Sequence, residues 1–197
     1  MRYVDRPFAA AVGLFLMGSA LGAFLAIIPS LREPFISLLQ ARLITPVSMA
    51  RRVGNIALVL LVFLNNSIPA ELSFAYAFIM ARVRWTPALT LNKERQLLAC
   101  FTWLCAFLVG FFGLGVALSI GWVLGGGALL FALLSGAWVH APIEFAAVLL
   151  CVSEPLRLAE DRNQIDLIMR LRHDLPLLLV CLLVLILSAA IEVFAKV

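Results

Sequence analysis

The sequence predicts an all-α, polytopic membrane protein, a bundle of about five transmembrane helices, and three observations lead to this fold class. Hydrophobic residues make up 64% of the 197 residues, whereas charged residues make up 13%. The mean hydropathy is +1.09, far above that of ordinary soluble domains. Most of the chain lies in long apolar runs of the kind that cross a ~30 Å hydrocarbon core. The whole chain, 1–197, is therefore expected to form a single integral membrane domain.

The predicted spans cover about residues 7–28, 53–80, 97–123, 128–151 and 175–195. The first is not expected to be a cleavable signal peptide, because its apolar run is too long and no small-residue cleavage site follows it. The second, with a rise of about 1.5 Å per residue, exceeds the thickness of the hydrocarbon core. It must tilt, kink or break, and Pro69 offers a place to do so. A tight glycine-rich turn at 121–127 joins the third and fourth spans.

Two connecting segments have amphipathic patterns. Residues 31–44 carry apolar side chains at helical spacing but are too polar to span, which is typical of a helix lying in the membrane interface. This helix is either a surface anchor or a docking surface for an extracytoplasmic partner. Residues 153–174 form the one sizeable hydrophilic stretch. Ser153 followed by Pro155 resembles a helix start, so we expect a cytoplasmic amphipathic helix here, or two short ones.

The distribution of positive charge predicts the orientation. Of the 15 lysines and arginines, ten fall on the side of the N-terminus and five on the other, although four of those five are arginines of the first loop. Because loops rich in Lys and Arg remain in the cytoplasm, we expect a cytoplasmic N-terminus and an external C-terminus in the cell membrane. The basic character, with a pI of about 9.2, fits anionic lipid headgroups. We do not expect a nucleic acid partner.

The first span contains a pair of glycines one turn apart, Gly18 and Gly22. Small residues at this spacing let two helix backbones approach closely. The neighbouring helix is either another span of the same chain or a second copy, so the pair is a candidate packing site and a homodimer or higher oligomer is one expectation.

Polar side chains lie deep within two of the predicted spans. Span two carries Asn65, Asn66 and Glu71, and span four carries His140 and Glu144. His140 and Glu144 are separated by four positions and share a helix face, and the two sets overlap in depth. Polar groups at membrane depth face a protein interior or a water-filled cavity. We therefore predict an intramembrane polar cluster at the packing of spans two and four.

Two prolines strengthen the case for this cluster. Pro69 cannot donate to the carbonyl of Asn65, and Pro142 leaves the carbonyl of Trp138 free. Such backbone is tolerated at membrane depth only where it is buried in protein or lines a cavity.

Three interpretations of the cluster are open. It is a polar clamp between helices, a site of ion translocation or proton coupling, or the centre of an intramembrane metalloenzyme. A catalytic zinc usually has three protein ligands, but the other histidine, His173, lies in the hydrophilic segment and no His-Glu-x-x-His motif occurs. Neither a nucleophile motif nor a phosphate-binding loop is found. We predict no catalytic residue, metal or cofactor, and expect the four cysteines to act as small hydrophobes.

The motif order resembles that of the stage II sporulation protein M-like membrane proteins. The matching elements are Asn65-Asn66 in an apolar helix, His140-x-x-x-Glu144 before a small-residue apolar stretch, and a last helix that ends in Ala189-Ala190-Ile191-Glu192. The resemblance implies about five spans, family-motif positions that include Glu192, and a role as a membrane anchor for extracytoplasmic peptidoglycan-degrading proteins. Relatives also occur in archaea and other organisms that never sporulate. Ala141-Pro142, where the family tends to have glycine, indicates a divergent member.

The expected function is a non-enzymatic anchor or scaffold for a multiprotein envelope complex. The alternative is the membrane subunit of a transporter. In that case a separate cytoplasmic ATPase docks on residues 153–174, and Asn66, His140 and Glu144 line the path. An intramembrane hydrolase is the third and weakest possibility.

Overall fold

The computed structural model describes residues 6–41, 45–82, 91–137, 140–160 and 167–194. These residues are helical almost throughout and contain no strand. In chain order the elements are α1 (Arg6–Ile27), α2 (Pro29–Leu39), α3 (Thr45–Val53), α4 (Asn55–Arg82), α5 (Leu91–Leu108), a π-helical segment (Val109–Val116), α6 (Ala117–Ala137), α7 (Ala141–Glu160) and α8 (Leu167–Phe194).

Four segments of the described chain are long and apolar enough to cross a membrane. They are Arg6–Ile27, Asn55–Ile79, Gln96–Phe131 and Arg172–Phe194. The prediction of an all-α protein with several membrane-spanning helices is thus confirmed. These segments overlap the predicted spans one, two, three and five.

The fourth predicted span, 128–151, is not one continuous helix. It is shared between α6, which ends at Ala137, and α7, which begins at Ala141. Pro142 therefore lies in the first turn of a helix, where its missing N–H interrupts no hydrogen bond, and not in mid-helix as the sequence suggested. Within α6, Gly126 has φ 62° and ψ −154°, a conformation that favours glycine. This residue lies in the glycine-rich turn predicted at 121–127.

The first connecting segment, predicted as one helix over 31–44, contains α2, which runs from Pro29 to Leu39. Residues 42–44 lie outside the described residues, and a further helix, α3, follows from Thr45. Neither has a buried residue, but Phe35 of α2 packs against Phe111 with ring centroids 5.9 Å apart. Gly54, with φ 139°, separates α3 from α4.

The second connecting segment also differs from the prediction. Ser153 does not start a helix, because α7 continues through Pro155 to Glu160, and the Ser153 hydroxyl donates to the Leu150 carbonyl at 2.9 Å. Helix α8 begins at Leu167 and includes Pro176, so its first residues belong to the predicted amphipathic segment. The central part of that segment, 161–166, lies outside the described residues.

Helix α7 lies at the centre of the bundle and packs against α1, α4, α5 and α8. Its rings and methyl groups fill the core: Phe145 contacts Phe15 of α1 with centroids 4.9 Å apart. The buried core residues of the four surrounding helices include Ala11, Phe74, Ala106, Cys181 and Leu185. A helix so enclosed holds its side chains in fixed positions, which matters for the polar groups it carries.

Helix α1 packs closely against the end of α5 and the π-helical segment. Gly18 faces the Phe107 carbonyl and Gly22 faces that of Phe111, so the two helices run in the same direction. On the other side, Gly110 faces the backbone of Phe15. Gly18 and Gly22 therefore pack within the chain, the first of the two neighbours that the sequence left open.

Candidate polar site in the helix bundle

Three helices bring polar side chains to one place. Asn66 comes from α4, His140 and Glu144 from the start of α7, and Glu192 from the last turn of α8. Ser188, one turn before Glu192, also faces Glu144. We call these five residues the polar cluster.

The start of α7 fixes two members of the polar cluster. His140 directly precedes the helix, and its carbonyl accepts the first helical hydrogen bond, from the Glu144 N–H at 2.9 Å. One turn apart, the two side chains share a face and are only 7% and 8% exposed. The unpaired N–H groups at a helix start carry partial positive charge, so the first turn of α7 is a favourable place for the Glu144 carboxylate.

The end of α8 connects the polar cluster with the surface of the bundle. Glu192 Oε2 lies 3.7 Å from Nε2 of His140, and the Glu192 side chain is 28% exposed. At this distance the two groups form an ion pair when the imidazole is protonated, and they are close enough for a small movement to bring them into a direct hydrogen bond.

Helix α4 contributes the tandem asparagines. The Asn65 amide donates to Oδ1 of Asn66 at 3.2 Å, and both side chains are half-buried. This bond orients the Asn66 amide, which approaches the Glu144 carboxylate from the α4 side.

Glu144 is the least satisfied member of the polar cluster. Ser188 and Asn66 come close enough to favour its negative charge, whereas the Glu192 carboxylate repels it. Among the described residues, however, neither Oε1 of Glu144 nor Oγ of Ser188 has a hydrogen-bond partner of standard geometry. An unpartnered buried carboxylate oxygen is costly, so this atom is where a ligand or a proton would lower the free energy.

One residue predicted for the polar cluster lies elsewhere. Glu71 is exposed on α4, because five positions after Asn66 turn the helix by roughly 140°. The prediction that Glu71 belongs to the cluster is therefore not supported by its position. His173 is also distant from it: the ring is exposed and its Nδ1 lies 3.2 Å from Asp174 Oδ1.

Several buried polar groups were not predicted, among them Ser188 and Glu154. Ser188 shares a helix face with Glu192, but a serine in an apolar helix is compatible with many environments. Glu154, 6% exposed, pairs with Arg157 at 2.6 Å in the last part of α7, at the opposite end from the polar cluster. A buried acid followed three positions later by an arginine is the signal that could have identified this pair.

The described residues contain no group of three His, Cys, Asp or Glu side chains arranged to hold a metal ion. The polar cluster instead combines two carboxylates, an imidazole, an amide and a hydroxyl. This set of groups can bridge helices by hydrogen bonds and can bind and release protons.

Comparison with protein-family models, with curated proteins and with solved structures found no match for the chain.

Proposed function

We propose that the chain is a multi-pass membrane protein without catalytic activity that anchors or scaffolds an envelope complex. The resemblance to stage II sporulation protein M-like proteins motivates this role. The observation that supports it best is the convergence of the motif positions. Asn66, His140, Glu144 and Glu192 are widely separated in sequence, yet they meet at one end of α7. A motif whose members join three helices is expected of a family that preserves a particular bundle.

The rest of α7 favours an anchor over a conducting pathway. Between Glu144 and Ser153 its buried side chains are apolar: Ala147, Val148, Leu149, Cys151 and Val152. Over this stretch α7 itself supplies no buried polar side chain, and those of the described parts of α4 and α5 are the neutral hydroxyls of Ser67, Ser73 and Thr102. An ion would therefore meet no buried charged group between Glu144 and Ser153 of α7.

The proposed topology has five crossings, a cytoplasmic N-terminus and an external C-terminus. The charge distribution supports this topology. The parallel packing of α1 and α5 also agrees with it, because the first and third crossings of a chain run in the same direction. The fourth crossing is assigned to α7 with the end of α6. Helices α2 and α3 then lie outside and are available to an envelope partner. Oligomerisation, also proposed, would use a surface other than Gly18 and Gly22.

A transporter subunit is the second candidate, and one specific observation favours it. Glu144 is buried with an unpartnered oxygen, and intramembrane carboxylates mark ion and proton pathways. In that case a cytoplasmic ATPase would dock near the end of α7 and the start of α8.

Affinity purification in mild detergent from the native host, followed by mass spectrometry, tests both candidates when it is combined with two charge reversals. Arg51 and Arg52 are exposed on α3, and Arg172 is exposed near the start of α8. The double variant Arg51→Glu, Arg52→Glu and its control Arg172→Glu alter opposite ends of the proposed bundle.

An anchor predicts an envelope protein that is lost from the Arg51→Glu, Arg52→Glu preparation and retained with Arg172→Glu. A transporter subunit predicts the reverse pattern, with an ATPase as the partner. Recovery of neither class of partner from any of the three preparations would contradict both candidates.

A further inference from the structure

We propose that the polar cluster is a proton-binding site, in which the Glu144 carboxyl takes up a proton that reaches it from the surface through Glu192 and His140. The proton binds as H⁺ to a carboxylate oxygen, so no redox partner or second substrate is needed. This inference goes beyond the anchor role and does not depend on it.

Glu144 is a buried carboxyl group with an unpartnered oxygen. Its side chain is more than nine-tenths buried, and Oε1 has no hydrogen-bond partner among the described residues. A buried ionised carboxylate is expensive unless it is paired and hydrogen-bonded. Protonation removes that charge and creates an O–H donor, for which Ser188 and Glu192 are the neighbouring acceptors.

A second carboxylate, that of Glu192, lies near Glu144. Glu192 acts on Glu144 by charge repulsion, and two carboxylates that share a site in a low-dielectric region cannot both ionise freely. One proton shared between them lowers the free energy of the pair.

The surrounding helices provide few charges that could replace the proton. Helix α8 contributes Glu192 and α7 contributes His140, while the α4 groups that face the site are the neutral amides of Asn65 and Asn66. Residues 96–108 of α5 include no charged residue, since its Lys93, Glu94 and Arg95 come at the start of the helix, and Arg6 is the one charged residue of α1. Lys196 follows Glu192 but lies outside the described residues. Among the described residues no three metal-ligating side chains are grouped here, whereas a single carboxylate oxygen is enough to bind a proton.

An exchange route is present in the same geometry. The partly exposed Glu192 carboxylate lies 3.7 Å from the His140 imidazole, which shares a helix face with Glu144. Histidine gains and loses a proton near neutral pH and can pass it between its two nitrogens. Glu192 thus links the surface to both buried groups, since it lies close to His140 and acts on Glu144 by charge repulsion.

Infrared difference spectroscopy on the purified protein in detergent tests the proposal. Protonated carboxyl groups have a carbonyl stretching band that carboxylates lack. We expect the wild-type protein to show this band and to lose it as the pH is raised. The variant Glu144→Gln should lose the part of the band that Glu144 contributes, and Glu154→Gln identifies the part from the other buried acid of α7. The control Glu71→Gln, altered at an exposed carboxylate of α4, should keep the wild-type band.

A second variant keeps the test decisive if Glu144→Gln does not fold. Glu192→Gln removes the repelling charge, so we expect the Glu144 part of the band to remain but its titration midpoint to move to lower pH, because the carboxyl then binds its proton less tightly. Absence of the band in the wild-type protein, an unchanged band in Glu144→Gln, or an unchanged midpoint in Glu192→Gln would overturn the proposal. So would stoichiometric metal that co-purifies with the wild type and is lost from Glu144→Gln. None of these results bears on the anchor role, because no partner is present.

Discussion

Asn66 and Glu144 are polar groups in an apolar bundle, and the free energy of each depends on its neighbours. Asn66 accepts a bond from Asn65 and offers its own amide to the Glu144 carboxylate. Glu144 has too few partners for its burial. A change at Asn66 therefore removes a partner from both Asn65 and Glu144, whereas a change at Asn65 removes a partner from the Asn66 amide alone.

Replacement of Asn66 by leucine should destabilise the protein more than replacement of Asn65. Asn66→Leu removes the amide that faces Glu144, and loss of a partner to a buried polar group costs about 1–3 kcal/mol. Asn65→Leu breaks one part-buried bond and should cost about 1 kcal/mol or less. Thermal melting in detergent compares the two, and an equal effect of both would show that Asn66 does not support Glu144.

Glu154 gives a pH dependence that can be measured separately. Burial raises the pKa of the Glu154 carboxyl; Arg157 opposes this effect, and Asp174 adds to it. Because the folded-state pKa lies above the unfolded one, the folded protein binds this proton more tightly, and stability falls as pH rises through the raised pKa. We expect the melting temperature of the wild type to fall relative to that of Glu154→Gln as the pH rises above about 4.5. The control Glu33→Gln, altered at an exposed site, should run parallel to the wild type.

Part of the site could be predicted from single residues. The spacing of His140 and Glu144 placed them on one face, and the structure has them buried together. The same reasoning could not exclude Glu71, because its exposure depends on which face of α4 meets α7 and α8, a tertiary property. It also could not select Ser188, since a serine in an apolar helix can bond to its own backbone and is compatible with many environments.

At the level of helices, the contact between α1 and the end of α5 depends on the absence of side chains. A Cβ at Gly18 or Gly110 would overlap the backbone of the opposite helix, at Phe107 and Phe15 respectively. Backbone atoms cannot move aside as a flexible side chain can, so the two helices would have to separate. Close packing of small residues is the main source of helix association in lipid.

Gly110→Ala should therefore destabilise the bundle, by on the order of 1–3 kcal/mol as expected of overpacking. Gly13→Ala is the matched control on the same helix pair, because a Cβ at Gly13 meets nothing within 4 Å. Alanine is the better helix former by about 1 kcal/mol, so Gly13→Ala should leave the melting temperature unchanged or raise it. If both variants melted alike, the close approach of α1 to this segment would not contribute to stability.

Helix ends were predicted less well than helix existence, and proline explains why. Pro142, expected within a span, lies in the first turn of α7, whereas Pro155, expected at a helix start, lies inside α7. A proline marks a position where the backbone donor is dispensable. Whether that position starts a helix or interrupts one depends on the packing of the following residues, which local sequence does not specify.

For the whole molecule, composition and hydropathy were enough to predict an all-α membrane protein. They did not predict that α7, with Glu144, Glu154 and Arg157 along its length, would occupy the centre. A hydropathy pattern ranks segments by apolar content, and the central helix of a bundle can carry polar groups because other helices shield it from lipid. Hydropathy alone therefore does not identify the helix that positions the polar cluster.

The topology predicts on which side of the membrane two exposed positions lie. Gly127 follows the turn in α6 and Arg172 is near the start of α8, so a crossing by α7 places them on opposite sides. The variants Gly127→Cys and Arg172→Cys, each with the exposed Cys100 replaced by alanine so that only buried native cysteines remain, can be treated with a membrane-impermeant maleimide. We expect Gly127→Cys to react in intact cells and Arg172→Cys to react only after permeabilisation.

The Cys100→Ala parent reports any reaction of the buried Cys105, Cys151 and Cys181. The reverse pattern would invert the orientation and leave the crossing intact. Reaction of both positions from one side would mean that α7 returns without crossing, so that the polar cluster would lie at the tip of a re-entrant helix.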